Sequence, residues 1–309
     1  MDRGIYGTAV WTYITEMDNV IIKPLSSAQE MEQAEGLQRA VWPGSETDIV
    51  PAHLLLTVAS NGGLVLGAMK GDELVGYVMG FLGTDQESPD RVAMARLKHC
   101  SHQVGVHPKY RGQGLAVALK RAQRGALVGQ GIRLATWTFD PLMSVNAYLN
   151  LHRLGAVCRT YKREVYGEMR DSLNQGLPSD RLQVDWWLTS NRVESRLEGS
   201  RPPLDLANYL SAGAQKLNSA GLADDDLPRP GEITETPRGN LVMVEIPPDF
   251  LEVKRRDMGL ANEWRMLTRS IFEGAFEAGY VATDFVHLKG EKYPRSYYVL
   301  SLGDATLNG

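Results

Sequence analysis

The chain has 309 residues, 43% of them hydrophobic, and a formal net charge of −4 with Lys and Arg spread along its length. That balance suits one large or two ordinary globular domains and gives no footprint for a nucleic-acid polyanion. No apolar run reaches the ~18 residues of a bilayer span, no basic-then-apolar leader is present, and Cys100 and Cys158 are too few for a disulfide framework, so a cytoplasmic protein is expected.

Residues 1–19 lack periodicity and are expected to form an N-terminal arm. Residues 20–25 are a β-rich run, and Ser26 or Ser27 can cap a helix reaching about Trp42. Pro51 can open a second helix that Asn61-Gly62-Gly63 ends. Residues 64–69 and 74–81 read as an antiparallel hairpin, and a polar loop then leads to a strand over 97–106.

The next residues, Val106-His107-Pro108-Lys109-Tyr110-Arg111-Gly112-Gln113-Gly114-Leu115-Ala116, read as a strand end, a glycine turn and the first turn of a helix. A helix start leaves backbone N–H groups unpaired, its dipole favours an anion, and Arg111 adds a fixed charge, so phosphate is the natural guest. The third glycine of a dinucleotide-binding loop is missing, because Val117 stands in its place. The helix stripe is Leu115, Ala118, Leu119, Ala122 and Ala126, with Lys120, Arg121 and Arg124 expected off it. Residues 132–138 form the next strand, expected to be parallel to the one before the turn. Asp140 and Pro141 are expected as N-cap and N1 of a helix to about Leu154, and strands follow over 156–165 and 182–188.

The spacing Arg111-x-x-Gly114-x-Ala116 after Val104-x-Val106-x-Pro108 resembles the acetyl-CoA signature of the GNAT superfamily of N-acetyltransferases. The resemblance covers about residues 20–190. His102 to Val106, Leu119-Lys120, Trp137 to Leu142, Asn146-Ala147 and Asn150 to Ala156 resemble a subgroup known as predicted GNAT acetyltransferases. It implies an α/β fold with a mixed sheet, the GNAT acyl-CoA N-acyltransferase fold, and acetyl-CoA or another acyl-CoA as co-substrate. The pyrophosphate is then expected on Arg111, Gly112, Gln113, Gly114, Leu115 and Ala116, and the pantetheine arm along Val104, Gly105 and Val106, with Asn146 as a further contact.

Many members of that family use a carboxylate base near the position of Cys100, where this chain has no acid, and a tyrosine at the position of Leu151. His102 is the preferred base, with a backbone-satisfied histidine as the competing assignment. Tyr148 or His152 is the candidate proton donor, with water or a plain surface role as alternatives. His99 is expected to face the other side of the strand as packing. His99, Cys100 and His102 do not form a metal site on strand geometry, and no metal is expected.

Residues 191–239 are rich in charged and turn-forming types and are expected to be a linker with a helix near 204–217. Residues 240–309 are expected as a C-terminal β-α-β-β subdomain, with Arg256-x-x-Gly259-x-Ala261 raising a degenerate GNAT half-repeat. Direct transfer of an acetyl or other acyl group to the amine of a small molecule or peptide is the expected reaction. No nucleic-acid or membrane partner is expected, and a homodimer is admitted. The competing class is an acyl-CoA-binding or regulatory module that has lost its catalytic groups.

Overall fold

The computed structural model describes residues 13–14, 19–44, 46–86, 90–200, 202–231, 236–289 and 293–303. Most of the expected N-terminal arm lies outside the described residues. The chain divides into two compact units, Met1–Ile132 and Arg133–Gly309, a grouping other than the expected 20–190 domain and 240–309 subdomain.

In the first unit, β1 (Tyr13–Ile14), β2 (Val20–Pro24), β3 (Leu64–Lys70), β4 (Glu73–Thr84) and β5 (Leu97–Val106) pair in sequence order, each antiparallel to the next. Between β2 and β3 lie α1 (Ala28–Val41) and α2 (Ala52–Ser60). Ser27 caps α1 in a reciprocal box with Glu30, which satisfies two N–H groups the helix start would otherwise leave bare. Met31, Ala34, Leu37 and Val41 of α1 pack with Leu55 of α2 on Val65, Met69, Tyr77 and Met79 of the sheet. On the opposite face Leu115 and Leu119 of α3 (Leu115–Gly129) pack on Leu64, Leu66, Ala68, Val75 and Val78. Alternate residues of β3 therefore serve two cores, which explains why its sequence is apolar throughout instead of alternating.

In the second unit the strands are β6 (Leu134–Phe139), β7 (Val157–Lys162), β8 (Arg181–Trp187), β9 (Gln215–Lys216), β10 (Ala220–Leu222), β11 (Pro228–Pro230), β12 (Leu241–Ile246), β13 (Tyr280–Leu288) and β14 (Arg295–Leu302). The helices are α4 (Ser144–Ala147), α5 (Asn191–Glu198), α6 (Leu206–Ser211), α7 (Phe250–Arg256) and α8 (Met258–Glu277). The order β6-β8-β7-β13-β14-β12-β9 is antiparallel at every step except β12 with β9, and β10 and β11 form a separate hairpin. The C-terminal β-α-β-β segment is thus joined edge to edge with β7 through β13.

Two expectations change here. Residues 191–239 carry α5, α6, β9 and the β10–β11 hairpin, and β9 joins the sheet, so the stretch is largely built structure. The helix after β6 begins at Ser144, not at Pro141. Asp140 accepts from the Leu142 N–H and from buried Arg265, while the Pro141 carbonyl accepts from Tyr298, and these ties hold 140–143 in a turn. The second Arg-x-x-Gly-x-Ala stretch does not leave a bare helix start. The Asp257 carboxylate accepts from the Leu260 N–H and Arg256 donates to the Asp225 carbonyl, so the α8 terminus is filled by the chain's own anion.

Candidate acyl-transfer site

Strand β5 supplies the first candidates. Its ladder with β4 shifts by one residue at His102: Gln103 faces Met79 and Ser101 faces Gly80, leaving His102 as the extra residue of a bulge. A bulge reverses the alternation beyond it. His99 and Ser101 therefore share the α3 side with Val104 and Val106, while Cys100 stands opposite Phe81 and Gly105 lies over Tyr77 and Val41. His102 is solvent-exposed, its ring 6.2 Å from that of Phe81, and the protein around it holds its pKa below the ordinary histidine value. The neutral ring that results can accept a proton near pH 7.

The turn after β5 has the form the sequence implies. A short 3₁₀ turn, Pro108–Tyr110, is held by the His107 carbonyl accepting from the Tyr110 N–H and by Tyr110 donating to Glu73. Gly112 and Gly114 take φ of +77° and +85°, conformations that a side chain disfavours. Gly114 is the N-cap of α3, with no side-chain cap and no acidic residue in the first turn. The first N–H from this terminus with a partner among the described residues is that of Ala118, bonded to the Gly114 carbonyl; none is described for Gly112 to Val117. Arg111, Gly112, Gln113 and Gly114 are exposed, with the Arg111 guanidinium donating to the Val106 carbonyl at 3.3 Å and its backbone N–H to the Pro108 carbonyl. Exposed donors, the positive end of a helix dipole and a guanidinium make an anion cradle. Leu115 is buried in the α3 core and Ala116 half-buried, which anchors the first helical turn under the donors.

Behind β5 the structure corrects one expectation. Lys120 does not lie on a solvated face: it is 1% exposed, and its Nζ donates to Ser101 Oγ at 2.7 Å and Gln123 Oε1 at 3.1 Å. Burial lowers its pKa to about 7. The Gln123 amide donates to His99 Nε2 at 3.2 Å, and His99 Nδ1 has no partner. Burial and the Lys120 charge push His99 down to about 4, so it is a neutral member of a buried polar cluster and more than packing.

The remaining candidates belong to the second unit. Asn146 is exposed on α4. Tyr148 and His152 lie on a π-helical turn, Tyr148–Arg153, with rings stacked at 4.6 Å between centroids. His152 Nδ1 lies 3.0 Å from Asp284 Oδ1, a carboxylate on β13. Leu151 is buried and Asn150, also buried, accepts from the Trp137 indole.

Residues 29–155 match the acetyltransferase (GNAT) family. The match spans 127 of the 309 residues, under half of the chain. Among solved structures it is similar to NAA60 of Arabidopsis thaliana in complex with acetyl-CoA, at 16% identity over 54% of this chain and 99% of that one, TM-score 0.43. It is also similar to an N-acetyltransferase from Staphylococcus aureus, at 12% identity over 56% and 100% of the two chains, TM-score 0.43. A third is the ribosomal-protein-S18-alanine N-acetyltransferase of Escherichia coli, at 14% identity over 54% and 92%, TM-score 0.40. No curated protein sequence matches the chain.

The matched residues 29–155 hold no pointer to Asp284, which lies well beyond them. The available signal was local: a single carboxylate inside the otherwise apolar run Val281-Ala282-Thr283-Asp284-Phe285-Val286. Among the described residues no helix is long and apolar enough to cross a membrane, and no group of three or more His, Cys, Asp or Glu can hold a metal ion.

Proposed function

We propose that the chain is an acyl-CoA-dependent N-acetyltransferase that moves an acetyl or other acyl group directly to the amine of a small-molecule or peptide acceptor. The row of unengaged N–H groups from Gly112 to Val117 beside Arg111 carries the CoA part of this reading, as the place for the pyrophosphate. Val104, Gly105 and Val106 line the pantetheine arm, and Asn146 is a further contact. The neutral His102 ring takes the proton of the attacking amine, and His152, with Tyr148 stacked on it, supplies the proton for the departing thiolate.

Thiol release from acetyl-CoA with a panel of amines tests the transfer, and the shift of Tm with CoA tests binding. His102→Ala is expected to lower turnover at least tenfold with CoA affinity nearly intact; unchanged turnover removes His102 from the mechanism. Gly114→Arg, which fills the phosphate cradle, is expected to abolish the CoA shift.

One observation favours a second reading, a binding or regulatory module. The base position near Cys100 has no carboxylate and the usual tyrosine position is buried Leu151. A CoA-dependent Tm shift together with background thiol release across the amine panel selects it.

A further inference from the structure

Two local irregularities meet at one point of the second unit. The helix after β6 changes to a π turn over Tyr148–Arg153, marked by the Leu154 N–H donating to the Leu149 carbonyl five residues back. The β13–β14 ladder breaks register between Ala282 and Asp284, which makes Thr283 the extra residue of a bulge. π turns and bulges cost ladder geometry and re-aim side chains, and both recur at functional sites. Here they bring His152 Nδ1 within 3.0 Å of Asp284 Oδ1.

The two oxygens of Asp284 do different work. Oδ2 accepts from Tyr209 at 2.6 Å and from Arg196, tying α5 and α6 to the sheet. Oδ1 accepts from the Phe285 N–H at 2.8 Å and faces His152. The side chain is 2% exposed; burial alone would raise its pKa, but His152, Arg196 and Tyr209 outweigh that and hold it below the usual carboxylate range. An ionised carboxylate can only accept, so the proton of the His152 ring sits on Nδ1. Nε2, which has no partner among the described residues, is left as the exchanging atom on a ring whose side chain is 11% exposed.

We propose that Asp284, from the C-terminal segment outside the matched residues, is the positioning residue of His152, fixing its Nδ1–H tautomer and leaving Nε2 as the atom that exchanges a proton in the transfer. This rests on the acyltransferase function proposed above. In the step served, the amine nitrogen bonds to the thioester carbonyl carbon, the carbon–sulfur bond breaks with its electron pair on sulfur, and His152, entering the step as the imidazolium with protons on both ring nitrogens, passes its Nε2 proton to sulfur. His102 holds the amine proton, His152 ends neutral with Nδ1–H still on Asp284, and exchange with water restores both. The C-terminal segment then supplies more than an added sheet edge.

The test uses the full chain labelled with ¹⁵N-histidine. The wild-type neutral His152 ring is expected in the Nδ1–H form, a readout that needs no variant and no turnover; an Nε2–H ring overturns the proposal. Asp284→Asn is expected to lose that preference and lower kcat at least tenfold, with KM for acetyl-CoA within twofold, as follows when a ring is held in the wrong tautomer. Tyr209→Phe removes only the Oδ2 contact, so it is expected to lower Tm while leaving tautomer and kcat within twofold of wild type. An equal kcat loss in both variants makes Asp284 a structural brace and refutes the proposal. Background transfer by wild type, or full transfer by His152→Ala, sinks the functional reading instead, and the tautomer still reports on Asp284.

Discussion

Lys120 offers the most quantitative check, because a lysine with a pKa of about 7 must leave a trace in stability against pH. Between that value and its unfolded value near 10.5 the unfolded chain holds a proton that the folded chain has released. Stability therefore rises with pH across that window, is complete above about 10.5, and is lost as pH falls through about 7. The whole interval corresponds to ~5 kcal/mol, and the part between pH 7 and 9 to ~2 kcal/mol. Lys120→Met removes the titration and leaves Ser101 and Gln123 each without one donor, a penalty that does not change with pH. With Cys100→Ser in both backgrounds, no neighbouring thiol titrates in the window, and His99 titrates below it. Urea unfolding at pH 7 and pH 9, read at constant m, is expected to show the lysine protein gaining ~2 kcal/mol on the methionine variant. A difference that changes by less than ~0.5 kcal/mol, within the error of such cycles, refutes a neutral buried lysine.

Three further outcomes follow from the same geometry. Gly114→Ala meets no atom within 4 Å but keeps φ at +85°, so a loss of ~1 kcal/mol is expected, while Gly36→Ala on α1, with equally open space and no positive φ, is expected to gain ~0.5–1 kcal/mol; thermal unfolding separates the two signs. Ser27→Ala removes the capping box of α1 and is expected to lower stability by ~1 kcal/mol in urea unfolding. Asp180→Asn strips the buried partner of Arg269, which donates to it at 2.7 and 2.9 Å, and of the Tyr161 hydroxyl at 2.7 Å. An expected loss of ~3 kcal/mol is checked by the denaturation midpoint, and an unchanged midpoint rejects the pair as a stabilising contact.

The first unit was legible because its cues are local. Ser27 with Glu30, Pro51, the Lys70-Gly71-Asp72-Glu73 turn and the glycines at 112 and 114 each act within a few residues, and each element forms where they place it. What the sequence hid are decisions made by distant residues. Lys120 reads as a surface lysine until Ser101 and Gln123 are seen to solvate it. Asp140 and Pro141 have good helix-start chemistry, but Arg265 and Tyr298, more than a hundred residues away, claim their polar groups first. The bulge at His102 is equally silent in sequence, because any residue type can occupy the unpaired position.

The same distinction bears on how proton handling is assigned. Counting back from Gly155 by the family's spacing reaches Leu151, a side chain with no chemistry, buried in the core. A π turn holds one more residue per turn than an α turn, so the position that meets β13 moves off the α-helical count. In this chain that position is His152, with Asp284 opposite it. With His152 as the proton donor proposed above, loss of the tyrosine is not by itself loss of an acid. On the proposed reading the CoA cradle is Gly112 to Val117 of the first unit, whereas the proton for sulfur comes from His152, held by Asp284, of the second. A variant such as Asp284→Asn should then uncouple them, leaving the CoA-dependent Tm shift in place while transfer falls.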